Sequence, residues 1–140
     1  MWTRHAENGF KEATVCMANQ YSDFVINDHH LNGNTTLGEN IADNGGFKLS
    51  YRAFQAAGKP STARLPGLNY TDNQLFFLGF SQLWCSIETP EHILLAINTD
   101  PHSTPIFRVR GVLSNSQEFS DSFNCKAGSP MNPEDKCKVW

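Results

Sequence analysis

The chain has no apolar run near the roughly 18 to 20 residues that a membrane-spanning helix needs. Its first residues, Met1 to Cys16, carry no apolar core of the secretory type and do not read as a signal peptide. Positive charge is not in excess. The formal net charge is −3, so nothing electrostatic points to nucleic acid. None of the four cysteines, Cys16, Cys85, Cys125 and Cys137, stands in a C-x-x-C pair, which argues against a zinc ribbon or a thioredoxin-type motif. There is no internal repeat and no low-complexity segment. Few stretches alternate apolar and polar residues, so the sequence reads as mainly α.

What is present suits one globular domain. The 140 residues are 39% apolar and 18% charged, a balance that excludes a disordered tail and permits a core. Two Asn-x-Ser/Thr tripeptides, Asn34-Thr35-Thr36 and Asn69-Tyr70-Thr71, make Asn34 and Asn69 candidate glycan sites. With an even cysteine count they favour an oxidising, extracellular setting over a cytosolic chain with structural thiols.

Met1 to Ala13 reads as a polar helix with Phe10 as an anchor, and Cys16 to Asn34 as turns and loop. The longest expected helix runs from Thr36 or Leu37 to about Ala56, with Ile41, Leu49 and Ala53 at helical spacing and a stop at Gly58-Lys59-Pro60. Gly45-Gly46 inside it makes sense where another backbone approaches closely. Thr71 or Asp72 caps the next helix, Asn73 to about Cys85, whose apolar residues surround it and predict burial. Pro90 opens another helix to about Asn98. Asp100 to Pro105 cannot be regular helix. Phe107 to Leu113 is either extended or the start of a helix. Asn115-x-x-Glu118 is a capping box for a short helix to Phe123.

The most informative stretch is Leu37-Gly38-Glu39-Asn40-Ile41-Ala42-Asp43-Asn44-Gly45-Gly46. Glu39 and Asp43, four apart, fall on one helix face. Such a pair is ordinarily a solvated face, but one carboxylate can ligate a metal while the other orients a neighbouring ligand. Further on come Tyr51-Arg-Ala-Phe54-Gln, Gln74-Leu-Phe-Phe-Leu78, Trp84-Cys85, Asp100-Pro-His102 with Phe107-Arg108, Ser129-Pro-Met-Asn-Pro133 and Cys137-Lys-Val-Trp140. Over about Trp2 to Trp140, this series in this order resembles the C-terminal part of the neprilysin and endothelin-converting-enzyme family of zinc metallopeptidases.

The resemblance implies a fold and roles. Residues 1–140 would be the C-terminal portion of a thermolysin-like zincin catalytic domain, mainly helical. Glu39 matches the third Zn2+ ligand. Asp43 matches the carboxylate that hydrogen-bonds a zinc-binding histidine, fixing its tautomer. His102 matches the histidine that stabilises the tetrahedral oxyanion, and Arg108 the arginine that grips a substrate carbonyl. Leu83 and Trp84 match the lining of a pocket for a large apolar residue after the scissile bond, although core packing would equally explain them. Cys16 would pair with Cys137, and Cys85 and Cys125 would be left as free thiols. The parent would sit on the extracellular face of the plasma membrane or be secreted, and would act on peptides.

The other half of such a site, a His-Glu-x-x-His helix, is not in this sequence. The five histidines are His5, His29, His30, His92 and His102, and no two are four apart. His29-His30 invites a metal assignment, but the family has no ligand there. The expectation is therefore a chain that neither holds catalytic zinc nor cleaves peptides alone. Its expected partner is the missing N-terminal part of the same enzyme, and without it apolar surface should be exposed. The alternatives are a non-catalytic binding module and a fragment with no function of its own. Arg110 could be a second cation beside a substrate channel or simply exposed.

Overall fold

The computed structural model describes residues 2–58, 64 and 66–139. Met1, Pro60 of the expected helix stop and Trp140 of the terminal motif lie outside them. Among the described residues the fold is six helices and one two-stranded hairpin: α1 (Arg4–Ser22), β1 (Val25–Ile26), β2 (His29–His30), α2 (Leu37–Ala57), α3 (Asp72–Gln82), α4 (Pro90–Thr99), α5 (Pro105–Asn115) and α6 (Gln117–Ser122). The mainly α reading holds.

Helix α1 starts where Thr3 Oγ1 accepts from the Ala6 N–H at 3.2 Å. It then runs through Cys16 to Ser22, well into what the sequence reads as loop. The reason is a buried stripe of Thr14, Met17, Ala18 and Tyr21, spaced three, four and seven residues from Thr14. Asn19 and Gln20 between them mask the stripe. The chain then reverses in a hairpin that pairs Val25 with His30 and Ile26 with His29. Its two corner residues, Asn27 and Asp28, take φ of 50° and 61°, the geometry a tight two-residue hairpin requires and one these residue types tolerate.

In α2 the core face is Ile41 and Phe47. Leu49 and Ala53, expected on it, are exposed. A Cβ placed on Gly46 would meet open space, so no close backbone approach explains that glycine. Helix α3 begins at a full capping box between Thr71 and Gln74. It ends at Gln82, before the expected Cys85. Only Phe77 on it is buried, and Leu83, just past its end, is 75% exposed. Pro90 and Pro105 each sit in a first helical turn, where a missing N–H costs nothing. That placement makes Phe107 to Leu113 helical. The cap of α6 is Ser116, whose Oγ accepts from the Phe119 N–H at 3.1 Å. Asn115, the expected cap, closes α5 instead.

Helices α2 and α5 are central: α2 packs on α5 and α1, and α5 also meets α1, α3 and α6. One core cluster, around Met17, Tyr21, Leu31, Ile41, Ile97 and Phe107, lies between α1, α2 and α5. The other, around Phe47, Phe77, Val112 and Leu113, is ringed by aromatic side chains of α2, α3 and α6. Tyr21 crosses directly over Gly111, with no room for a Cβ between them. The C-terminal tail is tied back by a disulfide between Cys16 and Cys137, which lie 121 residues apart in sequence. On the chain-entropy view, closing a loop of that length is worth nearly 5 kcal/mol, about a third of a typical domain's stability or more. Cys85 and Cys125 are unpaired.

Two glycines therefore respond oppositely to alanine. Gly111→Ala drives a methyl into the Tyr21 ring and should lower stability by about 1–3 kcal/mol. Gly46→Ala gains helix propensity in open space and should raise it by about 0.5–1 kcal/mol. Urea midpoints of the two variants, moving in opposite directions from the parent, are the measurement.

Candidate functional site

The site forms where the first turns of α2 meet the loop and first turn leading into α5. Asp100 closes α4. Its Oδ1 accepts the His102 backbone N–H at 2.8 Å and lies 2.8 Å from His102 Nδ1. That grip on Nδ1 aims Nε2 at Glu39, whose Oε2 is 3.3 Å away. The backbone hydrogen bond from His102, helped by its side chain, holds the Asp100 carboxyl below the usual aspartate range.

The loop is fixed to α2 by a residue the sequence reading passed over. Asn40 is almost wholly buried. It accepts from Ser103 Oγ at 2.6 Å, and its amide donates to Thr36 Oγ1 at 2.8 Å. One carboxamide thus joins the neighbour of Glu39 to the neighbour of His102. The available signal was a polar residue next to Ile41 on the inward side of a helix.

One turn along α2, Asp43 meets Arg108 of α5. Arg108 Nε and one terminal nitrogen donate to the two Asp43 oxygens, each at 2.7 Å. Both side chains are mostly buried, 14% and 16% exposed. The guanidinium carbon lies 3.8 Å from the centre of the Trp84 ring, a cation–π stack that covers its other side. Trp84 Nε1 is buried with no hydrogen-bond partner among the described residues.

The structure thus brings Glu39, Asp43, Trp84, His102 and Arg108 together. Leu83 is solvent-facing beside them. His29 and His30 are exposed on the hairpin, with His30 Nδ1 on the Ser22 carbonyl at 2.9 Å, and they join no cluster. Arg110 is exposed, and so are Asn34 and Asn69. Among the described residues no three His, Cys, Asp or Glu side chains converge as a metal cage. The site as built can hold a positive charge beside Glu39, meet an anion with His102 and Arg108, and stack an apolar group on Trp84.

The sequence profile of Peptidase family M13 matches residues 1–139. The chain belongs to that family. Endothelin-converting enzyme 1 of Cavia porcellus is 55% identical over 99% of this chain, which corresponds to 19% of that enzyme. Neprilysin of Mus musculus is 49% identical, with the same two shares. The M13 chain therefore spans about a fifth of the length of these relatives. Among solved structures, the Mycobacterium tuberculosis zinc metalloprotease Zmp1 in its open state superposes with a TM-score of 0.89 at 27% identity, over 99% of this chain and 23% of Zmp1. The Haemonchus galactose-containing glycoprotein complex gives 0.85 at 36% identity, over 97% and 24%. The helical fold read from the sequence is the fold of the matched regions of these structures.

The Asp43–Arg108 pair should behave as a buried unit. Asp43→Ala alone leaves a guanidinium unpaired and should cost about 3–5 kcal/mol, while the double variant Asp43→Ala, Arg108→Ala should cost less than the sum of the singles. A double-mutant cycle from urea unfolding checks this. Asp100 makes a different prediction. Its folded-state carboxyl titrates lower than the unfolded one, so its contribution is present above the unfolded value and fades as pH falls through the folded one. Below about pH 4, Asp100→Asn should flatten the acid-induced loss of stability, read from thermal melts between pH 2 and 6.

Proposed function

We propose that this chain is the C-terminal part of the catalytic domain of a zinc-dependent metalloendopeptidase. The observation that carries the reading is the approach of Glu39 to His102 at 3.3 Å, one helical turn from the Asp43–Arg108 pair, in a chain of Peptidase family M13. Zinc metalloprotease Zmp1 is among the structures of the same fold.

In this proposal Glu39 is one carboxylate ligand of Zn2+. A catalytic zinc takes three protein ligands, and this chain supplies one. The two histidines and the general base belong to a His-Glu-x-x-His segment that these 140 residues do not contain. The donor set here does not suffice for the metal, so the chain alone is inactive. When bound, zinc supplies a polarised carbonyl and a water of lowered pKa.

The remaining roles rest on the chain's own groups. His102, held through Nδ1 by Asp100, presents Nε2 to the charge that develops on the substrate oxygen. Arg108 spends two of its five N–H donors on Asp43, and the others are available to a substrate backbone carbonyl. Each Asp43 oxygen keeps a second lone pair for the N–H of a zinc-binding histidine. Leu83 and Trp84 line the pocket for a large apolar residue after the scissile bond. The parent enzyme works on peptides, outside the cell or on its surface, with Asn34 and Asn69 as glycan sites and the N-terminal part of the same enzyme as partner. A second reading, a non-catalytic peptide-binding module, is favoured by the Trp84–Arg108–Asp43 stack, whose three parts all come from this chain.

The test is cleavage of a short internally quenched peptide, with a large apolar residue after the scissile bond, by the purified chain with added zinc. The expected result is no turnover above that of Glu39→Ala. Zinc-dependent turnover that Glu39→Ala abolishes would overturn the predicted inactivity.

A further inference from the structure

A cavity of about 290 Å³ opens on the side of α2 away from Glu39 and Asp43. At 3.6 residues per turn, Ile41, Lys48 and Arg52 project from the helix face opposite that pair, with Asn44 and Tyr51 along its edge. The floor is apolar and buried, made by Met17, Ile41, Phe47 and Val112. The rim is cationic, with Lys48 and Arg52 from α2 and Lys138 from the tail. Arg52 and Lys138 are exposed and make no hydrogen bond or ion pair among the described residues. One acid shares the rim, Glu118, which accepts from Ser116 Oγ at 2.9 Å. On a chain of net charge −3, Arg52 and Lys138 beside the one acid Glu118 leave this opening with an excess of positive charge.

We propose that this cavity binds a small amphipathic monocarboxylate, its aromatic or branched aliphatic body on the apolar floor and its carboxylate between Arg52 and Lys138. Each part of the assignment has a physical reason. The floor sheds water onto an apolar body. A guanidinium fork matches a planar carboxylate with two parallel hydrogen bonds. Glu118 on the same rim repels a second negative charge, which disfavours a phosphate dianion. The volume lies at the lower end of ligand pockets, roughly 300–1,000 Å³, so the ligand is small. None of these residues belongs to the Glu39–His102 site, so this binding and the proposed peptidase role stand or fall separately.

The probe is 3-phenylpropionate, titrated into the full 140-residue chain while the methyl signals of Ile41, Val112 and Val139 are followed by NMR. Saturable shifts confined to these groups are expected. Arg52→Gln with Lys138→Gln should weaken binding about fivefold or more. Both side chains face solvent, so this variant should keep the parent's amide spectrum. The uncharged 3-phenylpropanol and the dianion phenyl phosphate should both bind more weakly than 3-phenylpropionate. Absence of saturable shifts, equal binding of 3-phenylpropanol, tighter binding of phenyl phosphate, or unchanged affinity in the double variant would each overturn the proposal.

Discussion

The pairing of Asp43 with Arg108 is the constraint around which the two central helices are set. Moving either charge out of water alone costs several kcal/mol. Two charge-assisted hydrogen bonds of 2.7 Å and the face of Trp84 offset that cost only when all three groups are aligned. A one-residue slip of α5 would turn Arg108 by about 100° and leave a buried carboxylate bare. The pair therefore fixes helix register more firmly than apolar packing, which tolerates small slides. Glu39 lies one turn before Asp43, and His102 lies in the loop just before α5. Setting the register of these helices sets the distance between those two side chains.

Carboxamides extend this control across the molecule. Asn40 ties α2 to the His102 loop. Asn115 donates to Gln20 and Asn44 and accepts from Gln20 and from the Cys137 N–H, so α1, α2, α5 and the tail meet at one side chain. Asn44 continues the seam by donating to the Tyr21 hydroxyl at 3.3 Å. Burial pushes the Tyr21 phenol far up, so it stays protonated. Fully partnered amides cost little inside a protein and allow few alternative packings. They complement the Cys16–Cys137 disulfide, which restricts the unfolded chain rather than choosing a register.

The site lies at the margin of this fold. The side chains of Glu39 and His102 are each 43% exposed. Apolar side chains on the segments that carry the site also face solvent: Leu83 and Ile87 beside Trp84, Leu95 in α4 and Ile106 in the first turn of α5. Helix α4 is held mainly by Ile93 and Ile97. Exposed apolar side chains around a half-open polar site make a surface on which a ligand or another protein surface can shed water. The relatives carry about four-fifths of their length outside the matched region.

Much of this was legible in order of residues. Helix α2, the proline that opens α4 and the Thr71 cap of α3 follow from local chemistry, because capping and proline geometry involve residues within one turn, whereas the helix that starts at Pro105 is only one of two readings the sequence allows for Phe107 to Leu113. The grouping of Glu39 and Asp43 on one face follows from helical period alone. Distance in sequence hid the rest. Helix α1 runs past its expected end because Met17 and Tyr21 bury against Ile41 and Phe107, partners no local window contains. Leu49, at helical spacing with Ile41, faces solvent because nothing among the described elements covers it. The sequence by itself determined helical class and the family motifs. Only the tertiary structure decided that Asp43 is gripped by Arg108, that Asn40 carries the His102 loop, and that Gly111 rather than Gly46 is the point of closest approach. Those choices belong to pairs of residues 65, 63 and 90 positions apart, whose meeting depends on how whole helices pack.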